Sequence, residues 1–437
     1  MCTVKKSVLL SVKNKKMTQP SQEKRPSLLG GTMIIAGTLI GGGMIAIPIA
    51  TSGLWFYRSL VILIYSWFCM SCSGLMLVEA NIHYPEGASF DTMVKDLLGK
   101  RWNLITGITI TFVLYTLVYA YITVGGGITN SFIESVFDLP SLYRPIGGFV
   151  FCIVLATLVW ISTKMIDRVS TILIVAMVIS FIAMTTGLLQ NIDFKLLANQ
   201  TPIAVEDSHY WKYAFFALPV CVTSFCFHGT APSITQYYKR DGKRIEKSIL
   251  IGSIIAFVVY TLWLLSIQGN LPRFEFLSIN GPEDDVQAMI DKLSSYVPIN
   301  LLNQLINFFT YVAIVSSFLG ASLGLFDYLA DLLKIKNTKI GRLKTASITF
   351  IPPLIASFLF PYGFVIAISY VGFAAAIWSI IVPALMVLKS RKKFPNAPYR
   401  VFGGKPLVYF ILLFAVITIL SQLMTQLGIV SSFTIYK

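Results

Sequence analysis

Gly37 to Pro48 reads GTLIGGGMIAIP, and it lies in the middle of an apolar run that begins near Leu28. A glycine inside a helix costs about 1 kcal/mol relative to alanine, so Gly41, Gly42 and Gly43 together predict a helix interrupted half-way along. An interruption in hydrocarbon frees backbone N–H and C=O groups, and it survives only where protein, water or a ligand satisfies them. Glycine there permits torsions that other residues resist, and it lets another group approach closely. Taken alone, GGG also fits simple close packing of two helices.

The surrounding chain identifies the solvent. Of its 437 residues 55% are hydrophobic and 13% charged, a composition that places it among polytopic membrane proteins. Apolar segments occur at 28–53, 57–80, 103–133, 145–162, 169–189, 213–237, 248–268, 301–326, 345–360, 362–388 and 406–427, which predicts eleven spans in an all-α fold. With the N-terminus in the cytoplasm, most of the 35 Lys and Arg fall on the cytoplasmic side, whereas the 20 acidic residues divide evenly. That is the positive-inside pattern, so the net charge of +15 reads as a topology signal and not as a nucleic-acid surface. The odd span count puts the C-terminus outside.

A second interruption falls in the sixth span, at Pro219 and then in TSFCFHGTAP, Thr223 to Pro232. Matching breaks at the start of two five-span blocks point to an inverted-repeat secondary transporter with its site at the midplane. The predicted organisation is a basic cytoplasmic tail (1–27), a first repeat (28–189), an external loop (190–212) and a second repeat (213–388). A basic cytoplasmic loop (389–405) and an eleventh helix with an external C-terminus (406–437) complete it. Amides near Gly43 and Met44 are placed to receive a carboxylate, and carbonyls ending the first half-helix and near Phe225 to Phe227 to receive an ammonium. Between spans, Ser89 caps a predicted amphipathic helix whose apolar face is Phe90, Met93, Val94, Leu97 and Leu98. Val286, Met289, Ile290 and Leu293 form a similar stripe in an outer loop, fitting either a packed lid or a surface helix.

His228, inside the second break, is the one ionisable residue near the middle of any span. Such a residue is a functional candidate by default. Proton coupling, substrate binding and a neutral imidazole bonded to freed backbone all remain open for it. Glu79 and Asp327, with Asp331 beside the latter, sit at the cytoplasmic edge and suggest gating. Tyr115 and Tyr119 share a helical face, and Phe225 and Phe227 flank the second break. Rings around a pocket suit an aromatic side chain, although at 13% aromatics periodicity does not decide it.

No P-loop, HExxH or nucleophile-elbow motif is present, so the chain is not read as an enzyme and its energy source is an ion gradient. Cys69 and Cys72 form a CxxC without a second pair or a nearby His, and no metal site is expected. No signal peptide is visible, since VLLSV (Val8 to Val12) is short and lysines follow it; Met1 or Met17 is the start. A channel is the rival of another class.

Several longer motifs carry a resemblance. SLLGG (Ser27 to Gly31), GTLIGGGMIAIP, SFDTMVKDLLGK (Ser89 to Lys100), SFCFHGTAPS (Ser224 to Ser233), SSFLGASLGLFDYLADLL (Ser316 to Leu333) and LFPYGF (Leu359 to Phe364) are similar to the aromatic and hydroxy amino acid permeases of bacteria. WFCMSCSGLMLVEAN in span two, YAYI in span three and RLKTASITF resemble the tryptophan-specific branch. The resemblance implies a proton symporter of the bacterial inner membrane; the expected partners are the substrate, H+ and the lipid bilayer, with no nucleic acid and no cofactor. It further implies import of an aromatic L-amino acid, tryptophan or else tyrosine or a broader set, by alternating access. Ten spans would form the five-plus-five inverted repeat of amino acid/polyamine/cation transporters, with helices one and six broken. It puts the substrate at Gly41, Gly42, Gly43, Met44, Ser224, Phe225, Cys226, Phe227, His228 and Gly229, with the ring between spans three, six and eight. Ser316 and Ser317 face the place where related sodium-coupled carriers bind an ion, but no carboxylate is there, which leaves sodium possible and unsupported. Cys226 replaces the first glycine of the family's FGFHG or FGYHG pattern, which reads FCFHG here.

Overall fold

The computed structural model describes residues 26–85, 88–137, 145–161, 163–200, 209–279, 286–336, 338–430 and 432–433. Most of the 1–27 tail, the choice between Met1 and Met17, Cys2, and the ends of the outer loops and C-terminus lie outside them. Among the described residues the fold is all-helical. The first run is α1 (Leu28–Leu39), α2 (Gly42–Ile45), α3 (Ile47–Ala50), α4 (Trp55–Asn81), α5 (Phe90–Leu98), α6 (Lys100–Phe137), α7 (Pro145–Ile161), α8 (Thr163–Gln190) and α9 (Phe194–Leu197). A second run follows as α10 (Ala214–Ser224), α11 (Ala231–Tyr237), α12 (Gly242–Gln268), α13 (Phe276–Ile279), α14 (Val286–Tyr296), α15 (Asn300–Leu332), α16 (Lys339–Leu359), α17 (Phe364–Ala375), α18 (Val382–Lys393) and α19 (Gly404–Gln426). A π-helical stretch, Ala376–Ile381, joins α17 to α18.

Eight helices among the described residues are long and apolar enough to cross a membrane, and nine if the bent pair Leu28–Leu39 and Gly42–Ala50 is one span. The apolar segments at 145–162 and 345–360 also fold as helices. However, α7 has only 17 residues, and α16 carries Pro352 and Pro353 in its interior.

Local chemistry explains the boundaries. Ser27 caps α1 by accepting the Gly30 amide at 3.0 Å, Asp241 caps α12 and Thr338 caps α16, each satisfying an end-of-helix donor. Gly363, with φ of +117°, makes the turn into α17 that an L side chain resists. Ser89 caps α5 at the Thr92 amide, and Met93, Val94 and Leu97 are buried against α6 and α18. On α14, Val286, Met289, Ile290 and Leu293 are all fully buried, so this stripe packs as a lid against α6 and α15.

The two ends of the bundle differ. At the basic end, Glu79 is wholly buried and its carboxylate receives Arg391 through Nε at 2.7 Å and Nη2 at 2.8 Å, with the Val401 amide at 2.8 Å. The Tyr238 hydroxyl, at the end of α11, lies 3.0 and 3.1 Å from the carbonyls of Ser27 and Leu28 at the start of α1. At the far end Arg273, 1% exposed, donates to the Gly53 carbonyl at 2.8 Å and stacks between Tyr210 and Phe433, while Trp55 donates to the Leu196 carbonyl. Thus the chain leaving the first broken span is fixed to the outer loop.

Candidate functional site

Both breaks exist. The chain bends by 49° between Leu28–Leu39 and Gly42–Ala50, and α10 stops at Ser224, leaving Phe225 to Phe227 non-helical before the 3-10 turn His228–Thr230. Pro219 does not make the second break, because α10 runs through it. The Pro219 carbonyl instead lies so near Gly372 that a Cβ there would come within 1.9 Å of it.

The two breaks touch. Ser224 Oγ lies 2.9 Å from the carbonyls of both Gly43 and Val220. The Gly42 amide donates to Ser317 Oγ at 2.7 Å, so α15 closes a third side. Tyr260, on α12, is 0% exposed, and its hydroxyl lies 2.6 Å from the Leu39 carbonyl and 2.7 Å from that of Ser224. Carbonyls that end the first halves of both broken spans therefore converge on one phenol.

Close approach is the reason for the three glycines. None of Gly41, Gly42 and Gly43 has a positive φ, so the expected need for unusual torsions is not met. A Cβ on Gly41 would sit 2.6 Å from Ser317 Oγ, one on Gly42 2.4 Å from the Tyr121 ring, and one on Gly43 3.3 Å from Ser224 Cα. Met44 is fully buried, and its amide donates to the Gly41 carbonyl at 3.1 Å.

The remaining candidates divide. Phe225 packs its ring on Tyr260 at 4.9 Å, and Phe227 fills the space over Gly74; each is 1% exposed. These rings are helix-packing groups and do not line an open space. Tyr115 and Tyr119 donate to carbonyls of Ile348 and Phe360, at 2.9 and 2.8 Å, fastening α6 to α16 and the turn after it. Their neighbour Tyr121 is the α6 tyrosine that meets the first break. His228 is fully buried, stacked on Phe227, with the Trp378 ring 6.1 Å away and Cys226 Sγ 3.9 Å from Nδ1. Its Nε2 has no hydrogen-bond partner among the described residues. Ser316 Oγ bonds within its own helix, to Ala313, while Ser317 reaches the break. Glu79 is held by Arg391, and Asp327 is exposed.

Exposed residues near the breaks follow two helical stripes. Along one stripe of α15, Ile306, Thr310 and Ala313 are buried, Ser317 is half-buried, and Gly320, Gly324, Asp327 and Asp331 are exposed. On the second half of span six, Gly229, Ser233 and Gln236 are exposed at helical spacing. A Cβ on Gly229 or Gly320 would meet nothing within 4 Å. Both exposed stripes run from the breaks toward the basic end. Separately, an apolar cavity of about 720 Å³ lies between α1, α8 and α12, bordered by Met33, Gly37, Phe181 and Leu262.

Residues 24–422 match the model of the tryptophan/tyrosine permease family. The chain belongs to this family. A tryptophan-specific transport protein of Haemophilus influenzae is 52% identical over 94% of this chain and 99% of its own. One of Pseudomonas aeruginosa is 43% identical over 94% and 98%. In structure the chain is similar to a mutant of the Eremococcus coleocola manganese transporter, with TM-score 0.60 and 13% identity over 91% of this chain and 87% of that one, a likeness of fold alone. The permease is a multi-pass membrane transport protein and not an enzyme.

Sequence reasoning missed Tyr260, Tyr121, Trp378 and Arg391. Tyr260 left a faint signal, a hydroxyl followed by that of Thr261 amid the otherwise apolar run Ile254 to Leu265. Arg391 was one of several basic residues in KSRKK, and nothing in its spacing marked it as the partner of Glu79.

Proposed function

We propose that the permease imports aromatic L-amino acids, with tryptophan as substrate, into the bacterial cytoplasm by proton-coupled alternating access across the inner membrane. The observation that carries this reading is the meeting of two broken spans at Gly43 and Ser224 in a chain whose relatives are named for tryptophan transport. Eleven spans, with the N-terminus inside and the C-terminus outside, follow if α7 and α16 both cross. The inverted repeat is supported by paired contacts. α1 packs on α12 as α10 packs on α4, and α6 packs on α17 as α15 packs on α8.

The substrate carboxylate docks at the turn around Gly43, where helix-start amides favour an anion. Its ammonium docks at the non-helical carbonyls of Phe225 and Cys226, because those of Leu39, Gly43 and Ser224 are engaged by hydroxyls. The ring then occupies the open side over Gly229 and Gly320. The exposed stripes leading from the breaks to the basic end and the buried Arg273 at the far end support reading this conformation as inward-open. Asp327 lies along the exit path, and Glu79 with Arg391 braces its rim. His228 carries the coupling proton, since its Nε2 is buried beside the second break with no partner among the described residues.

Uptake of labelled tryptophan into membrane vesicles tests the reading. Uphill accumulation driven by a pH gradient, abolished by a protonophore and little affected by excess tyrosine or phenylalanine, supports it. Strong competition by tyrosine would make the carrier a broad aromatic permease, and flux without accumulation would make it a channel. His228→Gln should lose uphill accumulation while retaining exchange; unchanged accumulation and pH dependence would remove His228 from coupling.

A further inference from the structure

The carbonyl ends of two half-helices each carry a partial negative charge of about half an electron, and in transporters such ends coordinate coupling cations. Here the Leu39 and Ser224 carbonyls meet at a point occupied by the Tyr260 hydroxyl, 2.6 and 2.7 Å away. We propose that the Tyr260 hydroxyl is a built-in replacement for a monovalent cation, so that this carrier needs no sodium or lithium ion at the junction of its broken helices. The inference rests on the reading that the two breaks form the transport site.

The geometry supports replacement on three counts. The phenol supplies one proton to two carbonyls, a shared bond that gives each a share of positive charge. Tyr260 is wholly buried, and its ring rests on Phe225, so the hydroxyl cannot swing away and leave the junction to solvent. It comes from α12, which packs along α1, so the phenol is supplied by a helix that already adjoins the first break. A carrier that borrows a cation here must bind it before the halves can join. This one keeps them joined through a covalently attached group.

The test uses full-length protein in liposomes, with labelled tryptophan uptake under an imposed pH gradient in sodium, lithium or choline chloride. Thermal melting of the same protein is measured in the same salts without substrate. Wild-type uptake and melting temperature should be equal in the three salts. Tyr260→Phe leaves two buried carbonyls without a donor and should lower uptake by about tenfold or more in every salt. Tyr260→Asn removes the ring and offers an oxygen, and it should show uptake and melting temperature higher in sodium or lithium than in choline. Wild-type uptake that rises saturably with sodium would overturn the proposal. So would full uptake by Tyr260→Phe, or a folded Tyr260→Asn indifferent to the salt. If Tyr260→Asn shows no cooperative melting, the wild-type and Tyr260→Phe comparisons decide. Should wild type fail to respond to a pH gradient at all, proton coupling fails, while the melting measurements still read the cation question separately.

Discussion

The Ser317 hydroxyl accepts the Gly42 amide at 2.7 Å, across 275 residues of sequence. This bond ties α15 to the first amide of the second half of span one. It satisfies a donor that the break would otherwise leave bare in an apolar interior, where an unmatched amide costs about 1–3 kcal/mol.

Ser317→Ala should therefore lower tryptophan uptake by about tenfold, through loss of an acceptor worth roughly 1–2 kcal/mol. Initial rates at saturating and limiting substrate check it. Ser316→Ala, whose hydroxyl donates to the Ala313 carbonyl of its own helix, should leave uptake near wild type. Equal effects at the two serines would contradict the assignment.

Glycine at position 42 is required because of Tyr121. A methyl there would press 2.4 Å from the ring, and overpacking of this kind costs about 1–3 kcal/mol. Gly42→Ala should be inactive or poorly folded, and adding Tyr121→Ala should restore part of the folded yield. Gly37→Ala, five residues earlier with nothing within 4 Å, should be tolerated. Expression and melting of the three variants distinguish steric crowding from a general intolerance of the GGG region.

Glu79 and Arg391 form a bidentate pair whose carboxylate is fully buried. Removing one partner of a buried pair costs about 3–5 kcal/mol, whereas replacing both with apolar residues is far milder. Arg391→Met should thus lower the melting temperature more than the double change Glu79→Met with Arg391→Met. The reverse order would mean that the pair is not what holds α4 to α18.

At the basic end, outside the spans, Lys393 and then Tyr84 hold the Asp96 carboxyl below its usual range by hydrogen bonding to it. A lowered carboxyl contributes stability that is present above its unfolded value, about 3.9, and is lost as the pH falls through the lower folded value. Asp96→Asn should melt below wild type at neutral pH, and the gap should close under acid conditions below about pH 4. A gap that persists unchanged into acid would show that the charge is not involved.

The two breaks were legible because glycine weakens a helix wherever it stands and bare backbone in hydrocarbon demands a purpose; Pro219, which the sequence also offered as a breaker, lies inside α10. The Ser89-capped helix and the stripe of α14 were legible for a similar reason, since periodicity and a cap act within one segment. Tyr115, Tyr119, Phe225 and Phe227 show where such reasoning stops. Spacing tells which residues share a face, but not which way that face turns. Rotation is set by neighbouring helices, and it carried Tyr121 to the first break and the two phenylalanines into helix packing.

Composition and punctuation were enough to establish a membrane bundle with two interrupted spans and a histidine inside the second of them. That the interruptions meet, that a phenol from α12 joins their carbonyl ends, and that Arg391 answers Glu79 came from packing. Each of those contacts joins residues far apart in the chain, and a hydrogen bond of 2.6 to 2.9 Å depends on where whole helices come to rest.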